Sequence, residues 1–533
     1  MRGKELFGKK ISGPFTIPAG IVTTEPSVLE KIANEVPQVG ILTTKSIGPQ
    51  PRAGYREPVI AQYSYYSFIN AVGLSNPGKD EYAKKISRIK IPKDKFLLIS
   101  IFGGDEKEFR EVAETLHPYA DGFELNISCP HSGVYGQSVG KDTDLVKRVV
   151  KEVASLGKPV MVKLSPNLDV VETAKASLKG GASGFTLINT RGPEEFLYEG
   201  FPILSNKVGG VSGREIINLG LKSVRKVRRL TSLPIIACGG ISNAEHVKLY
   251  RRAGADFFGV GSALAGMSTK LMKDYFRYLS SDVENNKKMS LRYVRFKAGM
   301  DYRRFKVSGN ERLADDLYIL SLDNGLHSQP GQFVFAWLPG KGEKPFSVFE
   351  NDPLTLLVQK RGCFTSHLSE LKRNDFLYVR GPYGNSPSAN EHTLFVGGGT
   401  GIAALYLLMK RYGGVALFGA KDKAHIPYAD KLKRMFSDLY ITTESGDFGS
   451  KGLVTDNLEE IIEEHNPEFF VNCGPEAMVR SALKKELDYV PPENVYSSLE
   501  FLTMCGVGLC GRCSTSKGYR NCVDGTFFRP DQV

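Results

Sequence analysis

No apolar run in this 533-residue chain reaches membrane-spanning length. The first ten residues, Met1-Arg-Gly-Lys-Glu-Leu-Phe-Gly-Lys-Lys10, lack the apolar core of a secretory signal. A soluble cytoplasmic protein is therefore expected. Eight cysteines are too few over this length for a disulfide scaffold. Four of them (Cys129, Cys238, Cys363 and Cys473) stand isolated, as in a reducing compartment. The net charge of +12 is made by 70 basic and 58 acidic residues, yet no basic block with interleaved aromatics is present. Neither a nucleic acid nor a membrane is expected as partner, and the scattered positive charge suits small anionic ligands.

The remaining four cysteines are concentrated near the C-terminus, as Cys505-Gly-Val-Gly-Leu-Cys510-Gly-Arg-Cys513 followed by Cys522. The spacing C-x4-C-x2-C matches plant-type [2Fe–2S] loops, in which thiolates hold the irons and backbone wraps the inorganic sulfides. Gly506, Gly508 and Gly511 suit that wrapping, because no Cβ keeps the amides away. Structural zinc is the alternative, but it usually shows two C-x2-C pairs and this stretch has one. A one-electron centre needs donors and acceptors, which the rest of the chain must supply.

From Thr16 to Leu264, eight short β-rich runs alternate with helical stretches. The strands are expected near Thr16–Gly20, Val39–Thr43, Phe96–Phe102, Gly122–Asn126, Pro159–Leu164, Gly184–Asn189, Pro234–Cys238 and Asp256–Val260. Most are continuous apolar runs without alternation, as parallel strands covered on both faces require. Eight β/α units in about 260 residues favour a closed TIM barrel over a doubly wound sheet. Polar and glycine residues cluster where these strands end, the face on which barrel sites are built. They include Ala19-Gly20, Thr44-Lys45-Ser46, Asn126, Lys163, Asn189-Thr190, Gly239-Gly240 and Gly261-Ser262. The late glycine pairs suit a phosphate, and the lysines an anionic ring or carboxylate. Cys129 follows the fourth strand in a Gly/Ser-rich loop, where a thiol serves as general acid or base if its surroundings tune it. A lone cysteine is otherwise usually a small buried hydrophobe.

Several of these strings, in order, resemble the catalytic subunit of class 1 dihydroorotate dehydrogenases over about residues 1–280. They are Thr44-Lys45-Ser46, Asn70-Ala-Val-Gly-Leu74, Asn126-Ile-Ser-Cys129-Pro130, Lys163-Leu-Ser-Pro166, Asn189-Thr190, Gly209-Gly-Val-Ser-Gly213 and Gly239-Gly-Ile241. The resemblance implies an FMN barrel that oxidises dihydroorotate to orotate, with Cys129 taking the C5 proton as the C6 hydride passes to the flavin. It further implies that Lys45, Asn70, Gly73, Leu74, Asn126, Asn189 and Thr190 hold the substrate. Ala19, Gly20, Lys45, Ser46, Asn126, Lys163, Gly213, Gly239, Gly240, Gly261 and Ser262 would line the FMN. A dimer through the barrel is the family's habit. His131 after Pro130 departs from the family's usual Asn and is similar to dihydropyrimidine dehydrogenases, which act on uracil and thymine. That reading stays open as the alternative.

The polar stretch Ser281–Lys288 marks a join. Beyond it, short strands with turn signals predict a small antiparallel barrel over 300–388. An open α/β domain over 389–495 and a cluster domain over 496–533 should follow. Lys344-Pro345-Phe346-Ser347 resembles the flavin motif of ferredoxin-reductase-like proteins, with Lys in place of Arg, and Thr365-Ser-His-Leu-Ser369 resembles their next flavin segment. The run Thr393–Leu405 carries Gly397, Gly398, Gly399 and Gly401 between a strand and a helix, as a dinucleotide diphosphate requires. Cys473-Gly474-Pro-Glu-Ala-Met478 matches the nicotinamide-side motif of the same proteins. Residues 300–533 together resemble the electron-transfer subunit of class 1B dihydroorotate dehydrogenases. That implies FAD, a [2Fe–2S] cluster on Cys505, Cys510, Cys513 and Cys522, and NAD. The chain then reads as a fusion, catalytic half first. A rival of another class is an electron-transfer module that serves a separate acceptor protein.

Overall fold

The computed structural model describes residues 4–127, 137–285 and 299–533. The chain divides into two compact units, one of residues 1–297 with 507–514, the other of residues 298–506 with 515–533.

In the first unit, eight parallel strands close into a barrel. In chain order they are Phe15–Ile17, Val39–Thr43, Phe96–Ile101, Gly122–Asn126, Val160–Leu164, Gly184–Leu187, Ile235–Cys238 and Phe257–Gly259. All eight expected strands are present, two with the expected bounds and the others with ends displaced by at most a few residues. The second to seventh are buried along their whole length, which is why their sequences run apolar without alternation. The helices that cover them are amphipathic. Thr143–Ala154, for example, buries Val146, Val149, Val150 and Val153, and the Asp142 carboxylate caps it by accepting from the Asp144 and Leu145 amides. Beneath the barrel lies the hairpin Lys4–Leu6 and Lys9–Ile11, whose Leu6 and Ile11 pack with Ile41, Phe96, Leu98 and Met161.

One layer was not visible in local periodicity. Segments after the second and sixth barrel strands meet in a four-stranded antiparallel sheet, ordered Arg191–Glu195, Val208–Gly213, Ser67–Asn70, Ile60–Ser64. Its central register pairs Asn70 with Gly210 and Ile69 with Val211. This sheet brings the Asn70–Leu74 segment to the strand-end face of the barrel, where the lysines and glycine pairs stand.

The second unit begins with a closed six-stranded antiparallel barrel. Its strands are Arg303–Arg312, Leu317–Leu322, Phe333–Leu338, Gly342–Asn351, Leu354–Gln359 and Phe376–Tyr383. The strand Gly342–Asn351 was read in the sequence only as a flavin motif. Its Pro345 sits opposite Phe335 in the ladder. A six-stranded parallel sheet follows, ordered Ser450–Lys451, Leu439–Thr443, Val415–Ala420, Thr393–Gly398, Phe469–Cys473, Val495–Ser498. The chain reverses its winding beside Thr393–Gly398, the kind of position at which open parallel sheets bind ligands.

Among the described residues, no helix is long and apolar enough to cross a membrane.

Candidate functional site

A cavity opens at the strand-end face of the eight-stranded barrel. Its walls include Ala19, Gly20, Lys45 and Ser46 after the first two strands, and Asn126 and Lys163 on the fourth and fifth. Asn189 and Thr190 follow the sixth strand, and Gly239, Gly240, Gly261 and Ser262 follow the last two. The antiparallel sheet and its flanks add Asn70, Gly73, Leu74 and Gly213. Every described residue that the resemblance assigns to substrate or FMN therefore lines the same space. Cys129 lies outside the described residues, as does His131.

The cavity suits a flat anionic group with a phosphate tail. Lys45 and Lys163 are nearly buried, at 8 % and 5 % exposure, so two cations are held out of water at its wall. A Cβ on Gly20 would meet nothing nearer than 3.7 Å, and the same holds at Gly261. A Cβ at either position would already be in van der Waals contact, at Gly20 with Lys45 Nζ, so the bare backbone lies close to the cationic wall, as a phosphate cradle needs. The residues present thus fit FMN.

Within the barrel a chain of polar groups runs beneath the cavity. Asn126 Nδ2 donates to Ser46 Oγ at 3.0 Å, Ser46 Oγ lies 2.9 Å from Ser100 Oγ, and Ser100 Oγ donates to Glu124 Oε1 at 3.2 Å. The same carboxylate oxygen stands 3.8 Å from Lys163 Nζ. Sequence reasoning named three of these five residues and missed Ser100 and Glu124, which sit inside strands that read as core. Cys238 also lines the cavity, but burial pushes its thiol up to about 12, so it stays neutral and is no nucleophile.

The segment Val507–Ser514, which belongs to this first unit, is tied to the turn after the first barrel strand. The Val22 amide donates to the Leu509 carbonyl at 2.7 Å, Thr24 Oγ1 donates to the Cys510 carbonyl at 2.7 Å, and the Gly266 amide donates to the Val507 carbonyl at 2.7 Å. Arg512 donates to Ser75 Oγ, beside the Asn70–Leu74 wall. Gly511 has φ +64°, and a Cβ on it would fall 2.0 Å from the Val22 carbonyl oxygen, so only glycine permits this approach. Cys505, Cys513 and Cys522 are buried and Cys510 is partly exposed. Among the described residues, no group of three or more His, Cys, Asp or Glu side chains is assembled as a metal site.

In the second unit, a cavity between the six-stranded barrel and the parallel sheet gathers Ser347, Gly398, Gly399, Gly401, Cys473 and Gly474. Lys344, Pro345, Phe346, Thr365 and Gly397 do not line it. Successive strand side chains face opposite ways, and Phe346 turns to Phe364, with ring centroids 6.5 Å apart. Thr365 Oγ1 instead accepts from the Arg361 and Gly362 amides at 2.9 and 3.1 Å, closing the first turn of its helix. The glycine turn divides by role. A Cβ on Gly401 would lie 2.1 Å from the Cys473 carbonyl oxygen, a packing demand, whereas Gly399 (φ +54°) has nothing within 4 Å and faces open space. Asp316, Asp422 and His425 also line this cavity. His425 Nε2 lies 3.0 Å from Asp316 and its Nδ1 2.7 Å from Asp422. No sequence signal linked these residues, because Asp316 is more than a hundred positions away.

The backbone of the first cysteine of the C-terminal motif is held from within the same unit. Arg380 is buried and bonds Glu343 through two contacts of 2.7 Å, while its Nη1 donates to the Cys505 carbonyl at 2.7 Å. Its guanidinium lies 4.0 Å from the Phe335 ring centroid.

A family model described as Dihydroorotate dehydrogenase matches residues 1–281, more than half of the chain. A protein of Pyrococcus horikoshii named "Dihydroorotate dehydrogenase B (NAD(+)), catalytic subunit" is 38% identical over 275 residues, covering 51% of this chain and 88% of its own length. The protein of that name from Methanocaldococcus jannaschii is 40% identical over 263 residues, 48% of this chain and 85% of its own. That from Thermoplasma acidophilum is 36% identical over 284 residues, 52% of this chain and 93% of its own. These matches fall on the unit whose barrel end carries the lysine- and glycine-lined cavity, and the chain belongs to the dihydroorotate dehydrogenase family.

Proposed function

We propose that the chain oxidises dihydroorotate to orotate in the eight-stranded barrel and delivers the electrons to NAD through its second unit. The observation that carries this reading is the convergence, on one cavity, of the described barrel residues that the resemblance assigns to substrate and FMN. In this reading residues 1–285 bind FMN, 300–388 FAD, 389–495 NAD, and 496–533 a [2Fe–2S] cluster on Cys505, Cys510, Cys513 and Cys522. FMN, when bound, supplies the two-electron acceptor, and the cluster, FAD and NAD supply the onward carriers.

The protein's own part is to bind, orient and move a proton. Asn70, Asn126, Asn189 and Thr190 offer amide and hydroxyl groups to the carboxylate and ring of the substrate, with Lys45 as the nearby cation. Gly73 and Leu74 close the wall above it. Lys163 sets positive charge against the electron-rich ring, and the glycine pairs at 239–240 and 261 receive the phosphate with Ser262. Cys129 accepts the C5 proton as the C6 hydride leaves, so one proton and one hydride depart and a ring C=C bond forms.

In the second unit, Ser347, Gly399 and Gly474 offer polar and Cβ-free contacts for the flavin and the nicotinamide nucleotide. Support for the cluster comes from the C-x4-C-x2-C-x8-C spacing and from the docking of residues 507–514 beside the FMN cavity.

Anaerobic mixing of the flavin-loaded protein with dihydroorotate tests the proposal. Rapid bleaching of the flavin, slowed at neutral pH by Cys129→Ala, supports it. Bleaching as fast in Cys129→Ala as in wild type removes Cys129 as the base. Turnover of uracil or thymine with none of dihydroorotate would replace it with the dihydropyrimidine reading that His131 raises.

A further inference from the structure

The Glu124 carboxylate lies beneath the barrel site at 1 % exposure, and the chemistry proposed above gives it no part. It is flanked on two sides. Toward the flavin side, its Oε1 lies 3.8 Å from Lys163 Nζ. Toward the substrate side, the same oxygen ends the chain Asn126–Ser46–Ser100. A carboxylate only accepts, so Ser100 must donate to Glu124 and Ser46 must donate to Ser100. Ser46 then has its oxygen left to receive the Asn126 amide. The direction of all three bonds is set by one negative charge, and that charge also faces the lysine.

The pair of charges gives the second half of the argument. Lys163 and Glu124 are both nearly buried, at 5 % and 1 % exposure, so the two side chains face each other out of water. Burying an ammonium without an opposite charge is costly, and the Glu124 carboxylate 3.8 Å away supplies that charge to Lys163. We propose that Glu124 is a positioning residue of this site, which offsets the charge of Lys163 and, through Ser100 and Ser46, fixes which way the Asn126 amide points. The proposal rests on the flavin reading of the cavity.

Two variants of the full-length, FMN-loaded protein separate its two actions. Glu124→Gln keeps the shape and removes the charge, so Lys163 acts uncompensated on the flavin and the FMN midpoint potential, measured without substrate, moves positive. Ser100→Ala cuts the relay and keeps the charge, so the potential stays at the wild-type value while orotate, used as the probe, binds about tenfold more weakly. A Glu124→Gln protein with native circular dichroism and wild-type potential overturns the charge-offsetting role. If that variant fails to fold, Glu124→Asp takes its place. Retained potential with weakened orotate binding supports the proposal, and wild-type values for both overturn it. Wild-type orotate affinity in Ser100→Ala overturns the relay. A wild-type chain that retains no FMN and binds none when it is added refutes the flavin reading itself, an outcome distinct from all of these.

Discussion

Thr24 Oγ1 donates a 2.7 Å hydrogen bond to the carbonyl of Cys510. The donor sits in the turn that follows the first barrel strand, next to Ala19 and Gly20 of the cavity wall. The acceptor belongs to the second cysteine of the C-terminal motif. With the bonds from Val22 and Gly266, it fixes residues 507–514 at the rim of the barrel site. In the proposed function this loop carries Cys510 and Cys513.

This docking predicts a split between two half-reactions. Gly511→Ala places a Cβ against the Val22 carbonyl and displaces the loop. Reduction of the barrel flavin by dihydroorotate should continue at the wild-type rate. Reoxidation by NAD should slow by about tenfold or more, since a small misplacement of a reacting partner costs that much. Stopped-flow traces of the two half-reactions measure both.

The Arg380–Glu343 pair makes a stability prediction. Both side chains are fully buried, and the guanidinium also carries the Cys505 carbonyl. Removing one partner leaves the other charged and unpaired in the core. Glu343→Gln or Arg380→Met should destabilise the second unit by about 3–5 kcal/mol. Urea unfolding followed by the fluorescence of Trp337, the only tryptophan in the chain, reads this unit directly.

Glu486 predicts a pH dependence. It is fully buried on the helix Glu476–Glu486, its Oε2 accepts from Asn472 Nδ2 at 2.7 Å, and burial pushes its carboxyl up to about 8. Between its ordinary value of 4.5 and about 8 the folded state holds a proton that the unfolded state has lost. The contribution to stability is complete below 4.5 and falls as pH rises through 8. Hydrogen exchange of the 476–486 helix should quicken over that window beyond the intrinsic pH effect. Glu486→Gln should abolish the excess.

Much of this was legible because some signals are local. Continuous apolar runs such as Phe96–Ile101 and Val160–Leu164 declare parallel buried strands wherever they occur. The glycines and lysines at their ends declare the face on which a site is built. Two features were not legible. The sheet that brings Asn70 beside Gly210 joins segments about 140 residues apart, and no periodicity within either announces the partner. Glu124 and Lys163 point into the barrel from strands whose neighbours are all apolar, so the pairing of their charges appears only once the strands lie side by side. In the second unit, the motif Lys344–Ser347 is recognisable as a string, yet of its four residues only Ser347 lines the cavity.

The central claim is that one chain carries electrons from dihydroorotate to NAD. Its most direct test is anaerobic turnover of the purified holoprotein with dihydroorotate and NAD, following orotate and NADH together. One NADH for each orotate, lost in a Cys510→Ser variant whose barrel flavin is still bleached by dihydroorotate, is the predicted result. Orotate formed without NADH, or NADH formed at the wild-type rate in Cys510→Ser, would contradict it.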